Sequence, residues 1–131
     1  MLDVTDYKPG IGDITAIYLL IVTKGFTSFD SSRKLACYAG VAPFPYQSGS
    51  SIHGRNKVNH LADKKLKSLL NMCALNAKRY DPELNECYER KCDEGKNKML
   101  VMNNIRNKLL GRVISIVKRQ TPYVNIKKYA A

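Results

Sequence analysis

Apolar residues recur along this chain in groups with helical spacing, and glycine and proline separate the groups. The first group, Asp13–Lys24 (DITAIYLLIVTK), is densely apolar and stops at Gly25. It predicts a buried helix, with a strand as the alternative that its Ile and Val content leaves open. Asp30 and Ser31 can cap a short second helix over Arg33–Ala39, closed by Gly40. Pro43 and Pro45 forbid regular helix, so residues 41–56 are expected to form a long loop. A third helix follows over Asp63–Arg79, where Leu66, Leu69, Leu70, Cys73 and Ala77 share one face. Lys64, Lys65, Lys67 and Lys78 fall mostly off that face. Asp81-Pro82-Glu83 is a strong start for a fourth helix, with an acid cap, proline in the first position and acid in the first turn. This helix carries Leu84, Cys87, Tyr88 and Lys91 on one side and ends at Gly95. The last helix, Lys98–Arg119, has Met102, Ile105, Leu109, Val113 and Ile116 on its stripe, and Thr121-Pro122 stops it. The pattern predicts an all-α domain of about five helices over residues 1–121, with a peripheral tail over 122–131. No internal repeat is visible.

Composition adds a partner class. The 131 residues are 44% apolar, sufficient for one core. Twenty-two Lys and Arg against eleven Asp and Glu give a net charge of +11, which points to a polyanion and most often to nucleic acid. A merely soluble basic surface is the bland alternative. The charge is unevenly placed. Residues 1–52 are neutral, residues 53–79 carry seven bases against Asp63 alone, and residues 80–95 carry six acids against two bases. From Lys96 onward there are nine bases and no acid. Cys37, Cys73, Cys87 and Cys92 lack the short spacings of a zinc site, and three of them lie on apolar-periodic stretches, so they read as reduced structural thiols. With no signal-peptide pattern and no apolar run long enough to span a bilayer, a cytoplasmic protein without membrane association is expected.

Two segments could carry chemistry. Lys8-Pro9-Gly10-Ile11-Gly12 precedes the first helix and resembles the hairpin of a helix-hairpin-helix motif. There, glycines let backbone N–H groups approach a DNA phosphate. A plain turn is the competing reading. The second segment, Pro45–Asn59 (PYQSGSSIHGRNKVN), places Ser48, Ser50 and Ser51 around Gly49 and follows them with His53, Gly54, Arg55 and Lys57. A serine needs a base, a metal or a favourable field to become a nucleophile, and no nearby acid orients His53. A flexible loop, a phosphate-contacting loop and a reactive serine all remain open on these residues. The acids Glu83, Glu86, Glu89, Asp93 and Glu94 read as a solvated helix face, and His60 reads as a polar flank. No metal site and no stacking platform for bases is visible.

In order along the chain, several segments resemble the C-terminal domain of a family of bacterial insertion-sequence transposases. They are PGIGDITA (Pro9–Ala16), SRKLACYAGVAP (Ser32–Pro43), QSG (Gln47–Gly49), KKLKSLL (Lys64–Leu70), DPEL with YER (Asp81–Leu84, Tyr88–Arg90) and the basic last helix. The family is the DEDD type, whose members use a serine and, where studied, a structured guide RNA. The resemblance implies that Ser48 attacks a DNA phosphodiester and forms a transient phosphoserine link, with Ser50 and Ser51 as neighbouring candidates. It implies DNA contacts at Pro9, Gly10, Ile11, Gly12, Gly49, Arg55, Lys57, Lys64, Lys65 and Lys67, and a homo-oligomer in the full transposase. Where members commonly show Lys-Arg-Gly-Asn, this chain has His60-Leu61-Ala62-Asp63, without that glycine and two positive charges. Family members also carry an N-terminal RuvC-like domain whose acidic quartet binds Mg²⁺. Residues 1–52 hold only Asp3, Asp6, Asp13 and Asp30 as acids, so the chain reads as an isolated domain or remnant, inactive in strand transfer alone. The rival reading is a non-catalytic nucleic-acid-binding or assembly module.

Overall fold

The structure is a computed structural model that describes residues 10–42, 44–50, 52–57 and 60–121. Its five helices are α1 (Asp13–Val22), α2 (Ser32–Tyr38), α3 (Lys64–Tyr80), α4 (Pro82–Asp93) and α5 (Lys98–Arg119). The architecture is all-α, as the apolar spacing requires, and the helix limits agree with the sequence reading to within about two residues. The tail over 122–131 lies outside the described residues.

One segment differs from expectation. The long loop predicted over 41–56 contains a two-stranded antiparallel hairpin, β1 (Phe44–Ser48) paired with β2 (Ile52–Lys57). Proline excludes helix but not an edge strand, and both strands of a lone hairpin are edges. The register shifts between Phe44 and Tyr46, around Pro45, whose nitrogen has no hydrogen to donate to the ladder. Gly49 closes the turn with φ +69, a conformation that L side chains rarely adopt. Among the described elements the strands pack on each other rather than forming a layer over the helices.

The core is built on α3 and α5. Leu66, Leu70, Cys73 and Ala77 of α3 face Ile105, Leu109 and Val113 of α5, and Leu35 of α2 and Leu84 of α4 close the flanks. Among the described helices α1 packs chiefly on α3, with Cys73 Sγ 3.3 Å from Thr15 Oγ1. At its approach, Gly10 has φ +101, and a Cβ there would lie 2.9 Å from the Ala77 nitrogen. Only glycine fits against that turn of α3.

The buried helix expected for α1 is only half buried. Thr15, Ala16 and Leu19 face inward, whereas Ile14, Ile17 and Ile21 are 73%, 56% and 69% exposed. The sequence is apolar on all sides, so its periodicity could not distinguish the two faces. The other unexpected feature of helix composition is Gly111, inside α5. It has ordinary φ and no atom within 4 Å of where a Cβ would stand, so neither backbone nor packing requires it. An interior glycine costs a helix roughly 0.5–1 kcal/mol relative to alanine.

Asp81 joins three helices. Its backbone amide donates to the Ala77 carbonyl at 2.8 Å, ending α3. Its side chain accepts from the Glu83 and Leu84 amides at 3.0 and 3.4 Å, starting α4, and from Arg112 Nη1 of α5 at 3.1 Å. The Asp81 side chain is 1% exposed, so water cannot replace these partners. Replacing Asp81 with Ala would leave two α4 amides facing a void and Arg112 with Glu83 as its remaining carboxylate. Urea denaturation of Asp81→Ala is expected to show a loss of about 3–5 kcal/mol, and a loss below about 1 kcal/mol, the scale of an exposed pair, would disprove the junction.

Candidate nucleic-acid interface

Ser48 ends β1 opposite Ile52, at the tip of the hairpin, and is followed by the positive-φ Gly49. Gly49 and Ser50 are exposed. Arg55 and Lys57 lie on β2, Lys57 at the base opposite Phe44, and Gly54 between them and the tip is exposed. Ser51 and Pro9 lie outside the described residues.

Both stems of the hairpin are tied to the helices. On the incoming side, the Val41 carbonyl accepts from Asn103 Nδ2 at 2.6 Å and from Asn107 Nδ2 at 2.8 Å, one turn apart on α5. On the outgoing side, the Asp63 amide donates to the Tyr38 carbonyl at 2.9 Å. The Asp63 carboxylate then caps α3 through the Leu66 amide at 3.0 Å and accepts the Tyr18 hydroxyl at 2.8 Å, with the Tyr38 hydroxyl at 3.5 Å. Burial pushes the Asp63 pKa up, but the Leu66 amide and the Tyr18 hydroxyl, helped by the Lys65 amide and Tyr38, hold it below the usual carboxylate range. In return, the hydrogen bond to Asp63, with burial, raises the Tyr18 pKa.

Immediately after this cap come Lys64, Lys65 and Lys67. Lys64 and Lys65 are exposed, Lys67 is half-buried, and the first turn of α3 holds no acid. Lys65 Nζ stands 5.3 Å from the centroid of the Tyr18 ring. A helix N-terminus already carries about half a positive charge, so three lysines there add like charge to like. The Asp63 carboxylate offsets part of that charge and takes the Lys65 and Leu66 amides, so the lysine side chains rather than those amides would meet an external anion. The three lysines thus stand where the chain leaving the Ser48 hairpin enters α3.

The Gly10–Gly12 segment is not part of this cluster. Gly10 packs against Ala77, which is roughly 18 Å along α3 from Lys65 at about 1.5 Å per residue. Ile11 is buried, which leaves only its backbone for a ligand, and Gly12 caps α1 with open space where its Cβ would be. The need for Gly10 is therefore met inside the fold. The α3 lysines follow the hairpin in chain order, whereas the Gly10–Gly12 turn sits toward the far end of α3.

Sequence reasoning missed four residues. Asn103 and Asn107 look like neutral polar positions on a basic helix, and only their spacing of four hinted at a shared partner. Tyr18 read as part of an apolar run. Arg106 falls four residues after Met102 on the core stripe, and it is 5% exposed with its Nε lacking a hydrogen-bond partner. Among the described residues no group of three or more His, Cys, Asp or Glu could hold a metal ion.

The lowered pKa of Asp63 has a stability consequence with a definite sign. A carboxylate depressed in the folded state contributes stability that is complete above its unfolded pKa, about 3.9, and is lost as pH falls through the lower folded value. The stability gap between wild type and Asp63→Asn is expected to be widest near neutral pH and to shrink below about pH 4. Denaturant titrations across that range check it, and a pH-independent gap would disprove the linkage.

Comparison with known proteins identifies the setting. The sequence profile described as "Transposase IS116/IS110/IS902 family" matches residues 7–89. The pilin gene-inverting protein of Moraxella lacunata is 36% identical over 117 residues, covering 88% of this chain and 36% of the relative. Its Moraxella bovis counterpart is 35% identical over the same span. The uncharacterized 43.6 kDa protein of insertion element IS110 from Streptomyces coelicolor is 30% identical over 115 residues, which is 28% of its length. The chain thus spans about a third of the length of these relatives. No helix among the described residues is long and apolar enough to cross a membrane. With the profile covering more than half of the residues, the chain belongs to the IS116/IS110/IS902 transposase family.

Proposed function

We propose that this chain is the DNA-binding, serine-bearing domain of a transposase, and that in a family-length protein Ser48 is the nucleophile of strand transfer. The observation that carries this reading is the placement of Lys64, Lys65 and Lys67 in the first turn of α3, directly after the Ser48 hairpin. Against the single capping carboxylate of Asp63 the three lysines leave a net positive charge at that end of α3, which suits a phosphate. The hairpin tip, with Gly49 and Ser50 exposed, offers Ser48 a position from which a bound strand is accessible. Arg55 and Lys57 on β2 would add charge to the same phosphate path.

The chemistry would be transesterification. Ser48 Oγ gives up its proton and forms a bond to phosphorus as one sugar–oxygen bond to that phosphorus breaks, leaving a phosphoserine link and a free strand end. A sugar hydroxyl then attacks the phosphorus, reforms a phosphodiester and returns the serine. Lysines beside the phosphate stabilise the charge that grows on its oxygens. The relatives are named for inversion of pilin genes and for insertion elements, and strand exchange of this kind would serve both. Mg²⁺, a RuvC-like partner domain, a guide RNA and homo-oligomerisation would belong to the longer protein. The Gly10–Gly12 turn would add a backbone contact of helix-hairpin-helix type.

Two measurements test this. Duplex DNA binding by the chain should weaken with salt, and replacing Lys64, Lys65 and Lys67 together with Ala should lower the log–log salt slope by about 2.7, at roughly 0.9 per phosphate contact. Binding indifferent to salt would sink the interface. In a family-length protein carrying this domain, denaturing gels should reveal a protein–DNA adduct that Ser48→Ala abolishes. An adduct that survives the change assigns the nucleophile elsewhere, and salt-sensitive binding without any adduct leaves a non-catalytic binding module.

A further inference from the structure

An open groove of about 410 Å³ lies between α2, α4 and α5, at the opposite end of α3 from the lysine cluster. α5 lines it with Lys108, Gly111, Arg112 and Arg119, α4 adds Glu83 and α2 adds Ser32. Lys108, Arg112, Ser115 and Arg119 follow one another at helical spacing and form one stripe along α5.

The paired arginine and the exposed cations have different roles. Arg112 is held by two carboxylates, Nη1 on Asp81 at 3.1 Å and Nη2 on Glu83 at 2.6 Å. The carboxylate in the groove is thereby neutralised. Lys108 and Arg119 are exposed. Lys108 Nζ lies 3.3 Å from the Cys87 sulfur, a weak acceptor, and Arg119 commits its Nε to the Ser115 carbonyl at 3.3 Å. Neither contact opposes an anion.

Gly111 supplies the second observation. It lines the groove, and neither packing nor backbone geometry requires a glycine there. The bare Cα leaves room for a ligand to lie close against the helix. The roots of Lys108 and Arg119 are roughly 16 Å apart along the axis at about 1.5 Å per residue. One anion is too small to answer both, so the ligand carries anions in a row.

We propose that this groove is a second nucleic-acid site, in which a run of backbone phosphates lies over Gly111 between Lys108 and Arg119. This rests on the reading above that the chain binds nucleic acid, and it adds a separate segment of strand at the other end of α3. DNA and RNA share the phosphodiester that the groove recognises, so both serve as probes.

The test measures affinity against KCl concentration for a 20-nucleotide single strand of DNA, its duplex and an RNA hairpin. Lys108→Ala/Arg119→Ala is expected to lower the salt slope by about 1.4 on single strands or 1.8 on duplex DNA, with affinity falling about tenfold at low salt. Gly111→Met should weaken the same probe about tenfold, while its Tm rises because methionine is the better helix former. The probe whose affinity these variants reduce identifies DNA or RNA as the occupant. If the groove variants bind all three probes as wild type does, while the Lys64/Lys65/Lys67 variant loses binding, the groove is not a site although nucleic-acid binding stands. If wild type binds none of the probes, both readings fall. Groove variants that lose affinity for polyglutamate but not for nucleic acid would also overturn the proposal.

Discussion

A single buried carboxylate, Asp81, sets the angles among the three helices that make up most of this fold. Charge of that kind is stable in an interior only when its lone pairs are filled, and here two α4 amides and an α5 guanidinium fill them. The same residue ends α3 through its own amide. α3, α4 and α5 are therefore not merely packed hydrophobes free to slide. They meet at a point with directional bonds, and α1 and α2 lean on the frame they define. The arrangement also accounts for a feature of the charge map. The acid-rich stretch after residue 80 is partly structural, with Asp81 and Glu83 both committed to Arg112.

Among the described residues, the chain on either side of the hairpin is anchored to the helices. Two asparagines grip the Val41 carbonyl before it, and after it Asp63 bonds the Tyr38 carbonyl while it caps α3. Position, rather than the number of bases, makes this end of α3 distinctive. Lys78 and Arg79 sit in the last turn, where the dipole welcomes them, whereas Lys64, Lys65 and Lys67 sit in the first, where it does not.

Much of the helical architecture was legible because α3 and α5 each carry one clean apolar stripe, and because Asp81-Pro82-Glu83 allows little other than a helix start. The hairpin was not legible. Pro43 and Pro45 argue against helix, but a strand at a free edge leaves the same signature as a loop, and only pairing distinguishes them. α1 misled for the reverse reason, since a run apolar on every side hides which face is covered. At the site, the serine segment and the lysines could be named from residue type and order. The separation of the Gly10–Gly12 turn from the lysines could not, because Gly10 answers to Ala77, a contact across 67 positions of sequence. Asn103, Asn107 and Arg106 stayed hidden because a polar residue on a basic helix carries no mark of what it will face.

The exposed isoleucines of α1 alter how the whole molecule responds to its solvent. A chain of net charge +11 repels its own copies at long range, and added electrolyte shortens that range to about 10 Å at 0.1 M. The attraction between apolar stripes such as Ile14, Ile17 and Ile21 is not screened, and excluded salts such as sulfate strengthen it. Ionic strength therefore acts on the two contributions in opposite senses, screening the charge while leaving the apolar attraction through α1. Dilute salt favours dispersed molecules, and concentrated salt favours molecules drawn toward one another.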